Sequence, residues 1–151
     1  MSPRLDATFD AVEQIRDRLA ATVESLKSVE SVLEAARNRQ PNLPAAIVYP
    51  VADQAAGNLG GRAQTLQKMS GLIAVLHVIG APNDPRGANA RAELGRIVAA
   101  TRGELLGWTP GGADAPLQLN PGRSGRLEEI AEGQVYWSDT YLMPWTLSTK
   151  P

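Results

Sequence analysis

A helical pattern that runs into a segment unable to continue it constrains this chain more than anything else in it. Ala90, Leu94, Ile97, Val98, Thr101 and Leu105 recur at three- and four-residue steps, with Arg91, Glu93, Arg96, Arg102 and Glu104 on the polar side. The stripe then meets residues 105–117, LLGWTPGGADAPL. Gly107 can take the left-handed conformation that closes a helix, and Pro110 and Pro116 forbid continuation. The second helix of the chain is therefore predicted to end near Leu106. Trp108, just past that end, is placed to fold back beside Leu105. By itself the segment reads as a hydrophobic C-cap followed by a turn, without chemistry.

Upstream, Leu5, Phe9, Val12, Ile15, Leu19 and Val23 predict one amphipathic helix with one buried stripe, capped by Asp6 or Ser2 and with Pro3 in its first turn. Ser25 to Leu33 mixes the two periods and reads as a short strand or as a helical extension. Pro44 to Val51 is an apolar run bounded by prolines, which suits a buried strand. Residues 52–63, with three glycines and no apolar periodicity, read as a loop or flexible hairpin arm. Gln64 to Ile79 is a long strand, apolar on both parities toward its end and hence central there. Ala81 to Gly87 is a turn that leads into the second helix, with Asn83 or Asp84 as cap and Pro85 at the first helical position.

After the Trp108 loop, Pro116 to Asn120 and Gly125 to Ile130 are short strands separated by the turn Asn120-Pro121-Gly122. From Gln134 to Thr149, Val135, Trp137, Asp139, Tyr141, Met143, Trp145 and Leu147 share one parity, as in a strand. Pro144 lacks an amide hydrogen, so this strand lies at an edge or leaves its local donor side unpaired. The order of elements implies an α+β fold: a mainly antiparallel sheet with two helices packed on one face. The second face is then only partly covered, which favours another subunit against it.

At 151 residues without cysteine, the chain has the length of a single domain, residues 1–151, able to bury a core without disulfides. A formal charge of -1 argues against a DNA-coating protein. The N-terminal region has acids every few residues instead of an apolar signal core, and the longest apolar run, Leu72 to Ile79, is far short of the roughly 20 residues that span a bilayer. A soluble chain with no membrane role is expected.

Candidate chemistry is sparse. His77 is the one histidine, set in an apolar strand without a nearby acid, and reads as a packed or interface residue rather than a base. One histidine and no cysteine leave no usual zinc site, and Glu128, Glu129 and Glu132 read as a solvated acidic turn. Gly57-Asn58-Leu59-Gly60-Gly61-Arg62 lacks the Gly-Lys-Ser/Thr end of a phosphate loop. Gly122-Arg123-Ser124-Gly125-Arg126 has the wrong spacing for a nucleophile elbow. Asp84-Pro85-Arg86-Gly87 reads as the start of a helix rather than an anion site. Tyr136, Trp137, Tyr141 and Trp145, on alternating strand positions or next to them, read as core or subunit interface rather than a stacking platform. No catalytic residue, cofactor or metal site is predicted. The residues offered to neighbouring subunits are Asn58, Leu59 and Arg62 on the arm and His77, Trp137, Tyr141 and Trp145 on the strands.

Several stretches together resemble the tail terminator proteins of long-tailed bacteriophages. They are the N-terminal helix followed by SLKSVE, the strand PAAIVYPV, the glycine-rich arm before a long strand, the DPRG start of the second helix, LLGWTPGGADAPL, and the terminal strand VYWSDTYLMPWTL. The resemblance implies a homohexameric ring at the tail–neck junction of the virion, assembled in the host cytoplasm. Such a ring binds the tail tube protein, stops tube polymerisation and meets a head–tail connector or neck protein, and DNA passes through its lumen without sequence-specific binding. No catalysis is implied. The alternatives are another phage neck component, such as a head or tail completion protein, and a small enzyme or ligand-binding domain using a groove near His77 and Trp137.

Overall fold

A computed structural model describes residues 3–32, 41–58, 65–80, 88–131 and 133–149. Helix α1 (Ala7–Thr22) leads into strands β1 (Ser28–Ser31), β2 (Ala45–Asn58) and β3 (Leu66–Gly80). Helix α2 (Ala88–Leu105) is followed by β4 (Gln118–Leu119), β5 (Gly125–Ala131) and β6 (Gln134–Ser148). The sheet order is β1-β2-β3-β6-β4, with β5 also on β6. Only the β1–β2 pair is parallel. This is the expected α+β fold with a mainly antiparallel sheet.

Both helices pack on one face. Thr8 of α1 meets Gly71 of β3, and Thr101 of α2 meets His77 of the same strand. Positions 71 and 77 share a parity, so both contacts lie on one side of the sheet. One core joins Ala11, Ile15 and Leu19 of α1, Ile97 and Leu105 of α2, Val48, Ile73 and Val75 of the sheet, and Tyr141, Met143 and Trp145 of β6. Gly71 is required where α1 crosses, because a β-carbon there would collide with the Thr8 hydroxyl.

The predicted stripe of α1 holds for Val12, Ile15, Leu19 and Val23 but not for its first turns. Leu5 and Phe9 are 57% and 60% exposed, and Ala7, Thr8 and Ala11 are buried in their stead. Periodicity gives the spacing of a face, whereas closeness to the sheet selects small side chains for it. Asp6 occupies the N-cap position without a side-chain capping bond.

Of the two readings of 52–63, a loop or a hairpin arm, residues 52–58 take the second in part: β2 continues there as one arm of a hairpin with β3. Ala52, Asp53, Gln54 and Ala55 register on Leu72, Gly71, Ser70 and Met69. A ladder requires a neighbouring backbone rather than apolar side chains, so composition did not reveal it. Residues 59–63, with Leu59 and Arg62, lie outside the described residues, as do the 81–87 turn and Glu132. The register shift between Pro50 and Ala52 leaves Val51 as a bulge and turns Asp53 toward the helices, where it accepts bonds from Thr8 Oγ1 (2.8 Å) and Trp145 Nε1 (3.1 Å).

Ser28–Ser31 is a strand, as the first of the two readings had it, and β3 is central as expected. The second face needs less cover than expected, because Leu72, Ala74 and Val78 on the parity away from the helices are already buried within the subunit. Strand β6 pairs with β3 along its whole length on one side and with β4 and β5 on the other, so it is not an edge. Its Pro144 carbonyl accepts the Asp114 amide at 2.8 Å. The proline's missing donor therefore points at that loop and not at β3, which is the second of the two arrangements the sequence left open.

The LLGWTPGGADAPL segment ends α2 as predicted, with Gly107 at φ 83° and the Trp108 amide donating to the Leu105 carbonyl at 3.2 Å. Gln14 of α1 clamps Gly111 by two bonds, to its amide (2.7 Å) and from its own amide to the carbonyl (2.9 Å). The Trp108 ring packs on the core beneath the Arg18 guanidinium, 4.7 Å from the ring centroid. Trp108 therefore joins the two helices as well as covering the end of one.

Candidate functional site

The most structured polar grouping lies where α2 crosses β3 and β6. Asp139 is fully buried, at a position whose parity neighbours Tyr141, Met143 and Trp145 form the core. A carboxylate there requires a fixed counter-ion. Arg102 supplies it with a forked pair of bonds, Nε to Oδ2 at 2.7 Å and Nη2 to Oδ1 at 2.8 Å, and the Trp137 indole adds a third at 3.0 Å. The hydrogen bond that Arg102 donates to Asp139 raises the Arg102 pKa further. The sequence put Arg102 on the polar side of its helix and missed this pair, although an acid on a buried strand parity signals that a cation must reach it.

His77, on the same face of the neighbouring strand, is likewise fully buried, with Nε2 2.9 Å from Thr101 Oγ1. Burial lowers its pKa to about 4, opposed by the Asp139 charge and reinforced by that of Arg102. A neutral imidazole sealed from solvent has no route for proton exchange with a substrate. Among the described residues no group of three or more His, Asp or Glu side chains is placed to hold a metal ion.

Outside this layer, Leu94, Gly95, Val98 and Ala99 of α2 and the Trp137 ring line a groove of about 400 Å³ rimmed by Arg91 and Arg102. A second recess of about 480 Å³ on the opposite sheet face is lined by Tyr49, Leu76, Glu128, Glu129 and Tyr136. Neither brings a nucleophile and a base together.

The family model for the phage tail terminator protein matches residues 5–149. The chain belongs to that family. As a tail terminator family member it is a structural protein of the phage tail and a component of the virion. Among solved structures it is similar to a chain of the virion of a native gene transfer agent particle, at 14% identity and a TM-score of 0.51, over 89% of this chain and 91% of that one. At that identity the likeness shows the fold. No curated protein matches the chain. Among the described residues, no helix is long and apolar enough to cross a membrane.

The structure redistributes the side chains that the sequence offered to neighbouring subunits. His77, Tyr141 and Trp145 lie in the subunit's own core, where they leave no surface for a neighbour. Aromatic residues on one parity mark a buried face, and here that face is covered by α1 and α2. Trp137 alone of the strand residues reaches the surface, at the groove. Asn58 ends β2, its side chain outside the described atoms along with Leu59 and Arg62. Leu5 and Phe9, taken from the sequence as core, are instead exposed.

Proposed function

We propose that the protein closes the tail tube at the tail–neck junction as a homohexameric ring. The ring binds the last ring of tail tube protein, ends tube polymerisation, and offers its other face to a head–tail connector or neck protein. DNA passes through the lumen without sequence-specific contact, and no reaction is catalysed. The observation that carries this reading is the family match across 145 of the 151 residues (5 through 149). Two features of the fold support it: a sheet with a rigid helical face on which lateral contacts can be built, and an exposed strand end at Ala52 to Gly57 available for axial contacts.

The test is assembly without the protein. Particles produced in its absence are expected to carry tubes of uncontrolled length, without joined heads, and supplying the protein restores both. Tubes of normal length in its absence would falsify the terminator role and favour another neck component.

A further inference from the structure

Phe9 forms an exposed apolar knob on one flank of the helix layer, with exposed Leu5 four residues before it in the chain, and the groove beside Trp137 lies on the other flank. Arg18 marks the side of α1 that faces α2, donating from Nε to the Glu104 carbonyl at 2.8 Å and pairing with the Glu104 carboxylate at 3.5 Å. Phe9 precedes Arg18 by nine residues, which at about 100° per residue is half a turn away. It therefore points away from α2. The same arithmetic holds on α2, where Gly95 precedes Glu104 by nine residues and lies on the groove side, away from α1.

The two patches differ in charge as well as in shape. Asp6 and Glu13 stand three and four residues from Phe9 on the same helix face, and Arg16, the cation of that flank, is held by Asp17 at 2.9 Å. The groove carries Arg91 at its edge, and beside it Arg102, a third exposed and already paired with the buried Asp139, so the groove has an excess of one positive charge among its lining residues and that carboxylate. An apolar knob with acids around it thus lies opposite an apolar groove of net positive charge. Two unlike, complementary patches on opposite flanks of one subunit are what a head-to-tail contact in a closed ring requires; a two-fold contact would need one patch complementary to itself.

We propose that Leu5 and Phe9 of one copy fill the groove between α2 and Trp137 of the next copy. The proposal rests on the ring reading and adds to it the surfaces that join the subunits. Electrostatic complementarity at the rim sets register and suppresses knob-to-knob contact. The aromatic ring in an apolar groove supplies most of the affinity.

The chain has no cysteine, so Phe9→Cys and Ala99→Cys each place one thiol at an exposed position without disturbing the core. The two variants, mixed and treated with a short bis-maleimide, are expected to give a cross-linked dimer that neither gives alone. The double variant is expected to give a ladder ending at the size of the ring. The same treatment is applied to assembled particles. Rings that form without this cross-link overturn the proposal and leave the ring reading standing, and self-cross-linking of the Phe9→Cys variant overturns it too. Single, separate copies both in solution and in particles overturn the ring and the proposal together. As a second measurement, Phe9→Ala is expected to weaken subunit association at least about tenfold with an unchanged unfolding midpoint of the monomer. Unchanged association overturns the proposal.

Discussion

Gly125 lies so close to Asp139 that a β-carbon on it would stand 2.8 Å from Asp139 Oδ1, and equally 2.8 Å from Arg102 Nη2 and Trp137 Cζ2. The glycine is thus fixed by packing against the ion pair. Gly125→Ala is expected to push the forked pair apart and destabilise the fold by about 1 to 3 kcal/mol, the range for overpacking. Chemical denaturation measures this, and an unchanged midpoint would show that the pair gives way without strain.

Removing the cation is expected to cost more than removing the pair. Arg102→Met leaves the Asp139 carboxylate buried without its counter-ion, still bonded by the Trp137 indole, at an expected cost of about 2 to 3 kcal/mol; the value sits at or below the low end for broken buried pairs because Arg102 is about a third exposed. The double variant Arg102→Met with Asp139→Leu is expected to be more stable than Arg102→Met alone. A double-mutant cycle with no coupling between the two positions contradicts this account.

His77 makes the fold sensitive to acid. Its folded pKa of about 4 lies below the ordinary value of 6.5 because burial disfavours the charged ring, with Asp139, Arg102 and Thr101 as its polar surroundings. Above pH 6.5 the ring is neutral in both states and makes no difference; as pH falls toward about 4 the unfolded chain binds a proton that the folded chain refuses. Stability is therefore expected to fall over that window by up to on the order of 3 kcal/mol. His77→Gln is expected to remove this component of the pH dependence while leaving tail length and head joining normal. Folded rings of this variant that fail in assembly would reveal a functional histidine.

Trp108→Ala acts on the joint between the helices. The ring is half-buried, so the expected cost is about 2 kcal/mol, below that for a fully buried aromatic, and includes the lost stacking of Arg18. Truncating Arg18 to Met in the Trp108→Ala background is expected to cost less than in the native background. Equal costs would mean that the guanidinium and the ring do not interact.

Much of the fold was legible because its signals are local. The alternation over β6, the apolar run of β3 and the Gly107 stop after α2 each depend on a few neighbouring residues. Over 52–58 the sequence left a loop and a hairpin arm open, since Ala52 to Ala55 are held in register by the backbone of β3 and not by burial of their own side chains. The Arg102–Asp139 pair spans 37 positions, and only the crossing of α2 over β6 brings it together.

By itself, then, the sequence determined the number and kind of the main elements, the α+β class and a resemblance to tail terminators, because periodicity, caps and breakers act within a turn or a strand. Only the tertiary structure decided which way those elements face. Periodicity alone places Leu5 and Phe9 in the stripe of α1, and alternation alone offers His77, Tyr141 and Trp145 to an interface. Close packing of α1 on the sheet at Gly71 instead selects Ala7, Thr8 and Ala11 for the inner side and turns Phe9 outward, while the two helices bury the aromatic face of β6. The physical reason is that an amphipathic period fixes angles between residues, whereas the orientation of the whole face is set by the volume available where elements meet.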